Sequence, residues 1–436
     1  MRARTVLIAS TLLLNFFLVD KTKGSENVTL EPMISLSTSA QQVRALLEDG
    51  LRWLDEGQVD RANQHFHEAA SIAPNDPMPL LALAKSALKE GDKASAFRSI
   101  NRAKSIASNS LEVLISQARL FQQINQNGQS ERLYKNALKL TEEPWTIETE
   151  LGYLYLNAYD RPQDALASFD KAIQAAPNYN TAHYGRGLSL VKLGLYDKAI
   201  AAYQQVALNN PNDSHIFKTL GRLRMKMEQP TEAISAFNDG LNIEPENFEL
   251  LMDRGEAFKT LGNIDAAIKD FSAASAAKPN IHIPALRLAM LAHENKQFSN
   301  AQKYYEKVLA LEPNHIITLN NLAWLFAETD TNLDRGIQLS RKALSLTKQS
   351  PLLLDTLAWL YRAKGDLSLA EQILVRAVSA QSSPRATTYY YLGVVKQELD
   401  KPLEAASAFN LAISIEPDFI YAEETQMRLN ELEGKN

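Results

Sequence analysis

The chain has no cysteine in its 436 residues. That one absence excludes disulfide frameworks, thiolate zinc sites and cysteine nucleophiles together, and it suits an oxidising compartment. A dominant charge sign is missing too: 46 Lys and Arg stand against 51 Asp and Glu, a formal charge of −5. No local Lys/Arg block builds the basic field that phosphate backbones require, so nucleic acid is not an expected partner. Apolar runs of membrane length, roughly 20 residues, are also lacking, and the chain is expected to be soluble beyond about residue 25. Tryptophan is scarce, with four in all, yet Trp324 and Trp359 occupy the same place in two copies of the tetrapeptide LAWL.

Catalytic patterns are absent as well. Of the seven histidines, His65 and His67 would fall on different sides of a helix and no HExxH follows, so isolated surface or packed histidines are expected and no metal site. Gly185 and Gly187 form half a dinucleotide loop, but no strand precedes them and the third glycine is missing. There is no lysine phosphate loop, no G-x-S-x-G and no supported Ser/His/Asp set. Carboxylates scatter over helix surfaces, where solvation accounts for them. The chain is therefore expected to be no enzyme and to need no cofactor.

What is present begins at the N-terminus. Two arginines in MRART, the apolar run VLIASTLLLNFFLV and the polar DKTKGSEN follow one another in the order of a secretory signal. Residues 1–24 are read as a signal peptide, cut after Gly24 with Thr22 two residues before it, or as an uncleaved N-terminal anchor. Residues 25–42 are read as a linker. No cysteine is available there to carry a lipid. The expected location is exported and periplasmic, with inner-membrane anchoring as the alternative.

The main signal is a period. A small residue followed four positions later by an aromatic, then usually by proline, recurs in DKAIAAYQQVALNNPND, TEAISAFNDGLNIEPEN and NAQKYYEKVLALEPN. The small residue falls at Ala62, Ala96, Ser130, Ala165, Ala199, Ala233, Ala267, Ala301, Gly336, Ala370 and Ala405, always 34 or 35 residues apart. Apolar residues upstream and downstream of it keep helical spacing, so each unit is a helical hairpin. Gly57, Gly91, Gly194, Gly262 and Gly365 mark inter-helix turns that need left-handed backbone, and Pro-Asn pairs such as Pro211-Asn212 and Pro313-Asn314 close the second helix. One hairpin cannot bury both faces, but a stack of them makes a continuous core.

This pattern resembles the tetratricopeptide repeat family. LGYLYLNAYDRPQDALASFDKAIQAAP matches it through Leu151, Gly152, Tyr155, Ala165, Phe169, Ala172 and Pro177. The third unit departs furthest, with Ser130 at the small position and no proline at 142. The resemblance implies an all-α fold: a right-handed α-solenoid of about eleven hairpins over residues 43–419, with a capping helix and tail at 420–436. It also implies that the first helix of each hairpin lines a groove in which a protein or peptide binds. Carried onto this chain, one groove row runs Lys85, Arg119, Tyr153, Leu188, Arg222, Glu256, Met290, Trp324, Trp359 and Val394. From Met290 to Val394 this row is apolar, joined by Ile283, Ile317 and Leu352 and by Leu286 and Tyr390. Asn320 and Asp355 are expected to supply hydrogen bonds at the rim. Around the sixth repeat the groove reads as basic, with Lys218 and Arg222. The Lys and Asn pattern with which some relatives hold an acidic chaperone tail is matched only at Asn321, so that partner is not expected.

The turn AETDTNLDRG is one residue longer than its counterparts, so the two LAWL motifs keep equivalent places and their indoles are expected to be neighbours on one surface. They then either pack between repeats or anchor a peptide or amphipathic helix. The C-terminal repeats are also similar to those of bacterial envelope proteins linked to exopolysaccharide export. The resemblance implies a non-catalytic scaffold in envelope or exopolysaccharide assembly or secretion, possible within a membrane-associated complex. The alternative is a regulatory module that senses sugars or peptides.

Overall fold

The structure is a computed structural model and describes residues 38–347, 350–380 and 384–433. The expected signal or anchor at 1–24, linker residues 25–37 and tail residues 434–436 lie outside the described residues. Among the described residues there are helices and no strands, and they divide into two compact units at Asn209–Asn210.

The first unit holds α1 (Thr38–Asp55), α2 (Val59–Ile72), α3 (Pro77–Glu90), α4 (Lys93–Ile106), α5 (Leu111–Gln123), α6 (Asn127–Ala137), α7 (Trp145–Asn157), α8 (Pro162–Ala175), α9 (Asn180–Lys192) and α10 (Tyr196–Asn209). The second holds α11 (Ser214–Lys226), α12 (Pro230–Ile243), α13 (Phe248–Thr260), α14 (Ile264–Ala277), α15 (Ile283–Glu294), α16 (Phe298–Leu311) and α17 (Ile316–Glu328), then α18 (Leu333–Ser345), α19 (Pro351–Ala363), α20 (Leu367–Ser379), α21 (Ala386–Glu398), α22 (Pro402–Ile415) and α23 (Ala422–Glu433). Each odd-numbered helix up to α21 packs antiparallel on the next, giving eleven hairpins, and α23 covers the last one. Helix α1 begins at Thr38, so residues 38–42, read as linker, form its first turn; nothing in TSAQQ breaks a helix. No helix among the described residues is long and apolar enough to cross a membrane.

Two local devices build each hairpin. The first is a left-handed residue at the turn. All five glycines expected there have positive φ, between 73° and 85°. The remaining turns use Asn125, Asp160, Glu228, Lys296, Asp330 with Asn332, and Asp400 instead. The two left-handed residues in the α17–α18 turn, at φ 51° and 46°, absorb the extra residue between the LAWL motifs. Glu228 and Lys296 hold this conformation without the local hydrogen bonding that lets Asn and Asp tolerate it, at a cost of roughly 1–2 kcal/mol. Lys296→Gly is expected to raise the stability of the second unit by about 0.5–1 kcal/mol, since the relieved strain exceeds the extra chain entropy of glycine. Urea unfolding of the two proteins checks this.

The second device is a ring seated on a glycine. A Cβ on Gly221 would lie 2.2 Å from the Phe237 ring, and one on Gly255 would lie 2.6 Å from Phe271. The aromatic of the second helix thus lies against the first helix at this glycine, and only the missing side chain makes room. The small residue near the start of the second helix has its tightest contact at the next repeat: a Cβ on Gly336 would lie 2.6 Å from Leu360, on the following first helix, and 3.4 Å from Phe326 of its own hairpin. Glycine therefore closes the hairpin, and the small residue closes the joint between hairpins. In the third repeat, Ser130 fills the small position fully buried, and its hydroxyl has no hydrogen-bond partner.

Candidate functional site

The groove row read from the sequence runs through the first helices of both units, with Lys85, Arg119, Tyr153 and Leu188 in the first unit, and its apolar stretch lies on α15 to α21 of the second. Within a first helix, residues such as Ile317, Asn320 and Trp324 are three and four apart and share one face. The outer edge of that face is apolar and open: Ile283 is 41%, Ile317 57% and Leu352 50% exposed, at matching places on α15, α17 and α19. Beside them run Met290, Trp324 and Trp359, each partly buried against the core.

Trp324 and Trp359 are neighbours, as the register required. Their rings stack with centroids 6.3 Å apart and planes 17° from parallel. Tyr391 of α21 extends the row, 4.6 Å from Trp359 and 5.9 Å from Trp324. Its hydroxyl donates to that of Tyr421 at 3.3 Å, and Tyr421 stacks on Tyr390 at 4.5 Å. The Arg362 guanidinium lies 4.3 Å from the Trp359 ring and is held by Glu398, Nε to carboxylate 3.0 Å. The tryptophans therefore neither sink into the core nor stand free. They form the half-open part of an aromatic ladder, a rigid surface that costs little side-chain entropy when a partner covers it.

Tyr391 and Tyr421 were missed by the sequence reading. Tyr391 sits off the groove row, and Tyr421 lies beyond the last full repeat; the run YYY at 389–391 was the available signal. Val394 requires a correction. It is fully buried in one cluster with Phe409, Phe419 and Leu429, because the stretch around α23 covers the last hairpin. It cannot meet a partner.

Asn320 and Asp355 also differ from the expected rim groups. They are 9% and 2% exposed, at equivalent places on α17 and α19, and are therefore buried residues rather than rim residues. The Asn320 Oδ1 and Asp355 Oδ1 atoms are buried without a hydrogen-bond partner. The other Asp355 oxygen accepts from the Thr388 hydroxyl at 2.8 Å and lies 3.4 Å from Arg385. Burial pushes the Asp355 carboxyl up to about 7, outweighing Thr388 and Arg385, which act in the opposite direction. A folded-state value above the unfolded one means that the native form holds the proton more tightly. Stability from this group is thus complete at acid pH and is lost as pH rises through about 7. Asp355→Asn is expected to gain on the order of 1–3 kcal/mol of stability at about pH 8 and little at about pH 4, read by urea unfolding at both.

The basic stretch around the sixth repeat is internally paired. Lys218 on α11 donates to Glu249 at 2.6 Å, and Arg222 donates to Asp253 at 2.5 Å, both acceptors being on α13. Further along the same row, Glu256 accepts from Arg287. In the first unit, Arg119 on α5 pairs with Glu150 on α7 in the same manner. These charged places of the row are answered by an opposite charge about one repeat away, whereas Met290, Trp324 and Trp359 carry no charge to be answered.

Comparison with known proteins agrees with this architecture. A family model described as tetratricopeptide repeat matches residues 115–180, 149–214 and 218–280, and a second of the same description matches residues 285–315. Protein O-mannosyl-transferase TMTC1 of Homo sapiens is 22% identical over 216 residues, which are 49% of this chain and 24% of that protein. DnaJ homolog subfamily C member 3 of Gallus gallus is 23% identical over 299 residues, 67% of this chain and 54% of that protein. The chain thus spans between about a quarter and about half of the length of these two relatives. The crystal structure of a tetratricopeptide repeat protein from Parabacteroides merdae is 18% identical and covers 58% of this chain and 98% of its own, with a TM-score of 0.45. The chain carries tetratricopeptide repeats in a solenoid of paired helices. Repeats of this kind serve as protein-interaction scaffolds that bind protein or peptide partners, and the fold is typical of non-enzymatic proteins.

Proposed function

We propose that the protein is a non-catalytic, exported adaptor of the bacterial cell envelope, acting in exopolysaccharide assembly or secretion. It takes an apolar peptide or amphipathic helix along the face of α15, α17 and α19. The observation that carries the groove assignment is the pairing of an exposed aliphatic row, Ile283, Ile317 and Leu352, with the stacked and half-open Trp324 and Trp359. An amphipathic helix offers apolar residues at a matching spacing, and burying two indoles beside three aliphatic side chains supplies the hot-spot core that such interfaces use. Arg119, Lys218, Arg222 and Glu256 of the row are each paired with an opposite charge and do not compete for it. Export is supported by the arginines and apolar run of residues 1–24.

A second reading, a module that senses sugar chains, is favoured by one specific feature. The unpartnered oxygens of Asn320 and Asp355, on the same two helices as the indoles, are acceptors that sugar hydroxyls would satisfy.

Fractionation joined to pull-down from crosslinked envelopes tests both. The adaptor is expected in the periplasmic or inner-membrane fraction, with protein partners lost when Trp324 and Trp359 are both changed to alanine. A cytoplasmic location overturns the envelope role. Retention of every partner by the double variant overturns the groove, and quenching of indole fluorescence by oligosaccharides, without protein partners, selects the second reading.

A further inference from the structure

Away from the aromatic ladder, the turns that lead into α15 and α17 bring together His282, Glu312 and His315. Among the described residues they are the one group whose ligand atoms, a nitrogen from each ring and a carboxylate oxygen, all lie within 4.8 Å of one another. The backbone fixes all three. His282 and His315 are the N-cap residues of α15 and α17, and Glu312 is the C-cap residue of α16, whose carbonyl accepts the His315 N–H at 3.1 Å. His282 Nδ1 is 2.9 Å from Glu312 Oε1, and the two imidazole rings are 4.9 Å apart. His315 Nδ1 accepts from the Thr318 backbone N–H at 3.3 Å and lies 2.8 Å from the Thr318 hydroxyl, and these two contacts orient the ring so that Nε2 is the nitrogen left for a ligand.

We propose that these three side chains form a binding site for a divalent transition ion of the zinc class, stapling the eighth repeat to the ninth. Two imidazoles and one carboxylate are a donor set suited to zinc, nickel or copper, whereas calcium and magnesium take oxygen ligands. Bonds of about 2.0–2.1 Å to a tetrahedral ion place ligand atoms roughly 3.3 Å from each other. The present 2.9 Å contact and 4.8 Å limit reach that spacing through small rotations of the two imidazoles and of Glu312, whose side chain is half exposed. The ion then replaces the hydrogen shared by His282 and Glu312. Binding through Nε2 uses the His315 tautomer with its hydrogen on Nδ1, donated to the Thr318 hydroxyl in place of the present contact with the Thr318 backbone N–H, the outer hydrogen bond that metal-bound histidines use. Lys342 occupies the Pro313 carbonyl of the same turn at 2.7 Å, so no fourth protein ligand comes from there and a coordination position stays open. It lies within two residues, in sequence, of Ile283 and Ile317 at the edge of the groove, where water or a partner's side chain can take it. The sequence reading found no such site because the two histidines are a repeat apart and match no local motif.

The test is zinc titration of the untagged, chelator-stripped full chain by calorimetry, with melting followed in parallel. Expected are one ion per chain with low-micromolar affinity, no competition from magnesium or calcium, and a higher melting temperature with zinc. The double variant His282→Ala, His315→Ala is expected to lose at least about 100-fold in affinity, and Thr318→Val about 10-fold. Glu312→Gln, a change at an exposed side chain that leaves the fold intact, is expected to abolish the zinc-induced rise in melting temperature. The pair His65→Ala, His67→Ala should bind like the parent. No zinc uptake below millimolar concentration overturns the proposal, as does unchanged uptake by the His282, His315 variant or an undiminished thermal shift in Glu312→Gln.

Discussion

Trp359→Ala is expected to weaken binding of the groove partner by about 2 kcal/mol or more, roughly a 30-fold loss. The expectation follows from where the ring stands. Trp359 stacks on Trp324, touches Tyr391 and carries the Arg362 guanidinium on its face. It is also partly open, so part of its surface remains for a ligand to cover. A fully buried tryptophan would cost about 3–5 kcal/mol of stability on truncation. Here the ring is only partly buried, and the lost contacts with Trp324 and Tyr391, at roughly 0.5–1.5 kcal/mol for each aromatic pair, amount to about 1–3 kcal/mol. Isothermal titration with a captured partner, set beside urea unfolding of the same variant, separates the two quantities. A large stability loss with unchanged affinity would place the ring in the core and remove the groove from consideration.

The same comparison marks how far the sequence reaches. The period, the hairpins, the five turn glycines and the register of the LAWL motifs were all legible, because each rests on a local rule repeated along the chain. Left-handed Glu228 and Lys296 were not, since neither residue type has any preference for that conformation; the hairpin imposes it. Val394 occupied the right place in the row, yet its neighbours differ. Residues after the last full repeat fold over it, and no periodic pattern describes them. The basic residues of the sixth repeat looked unopposed because the row was read along one helix at a time. Glu249 and Asp253, each 31 residues after its partner, sit on the next first helix, a separation set by the repeat rather than by one helix. Asn320 and Asp355 were found, but their depth was not, since a polar residue on a groove face is ordinarily a rim residue.

Phe271→Ala is expected to be the most destabilising single change, at about 3–5 kcal/mol. The ring is fully buried and seated against Gly255 of the preceding helix, with Leu288 and Leu291 of α15 in the same cluster. Its removal leaves a void at a joint shared by two hairpins. Gly255→Ala attacks that contact from the other side, driving a methyl to 2.6 Å from the ring, and should cost about 1–3 kcal/mol through overpacking. The informative protein is the double variant. With the ring gone, the added methyl clashes with nothing and fills part of the void. The double should therefore be less destabilised than the two single changes taken together, with a coupling of about 1–2 kcal/mol. Because each repeat leans only on its neighbours, hydrogen exchange should show the loss concentrated in α13 to α15, while helices several repeats away keep their protection. Strict additivity would mean that ring and glycine do not interlock. A uniform loss of protection across the second unit would mean that its hairpins unfold as one block.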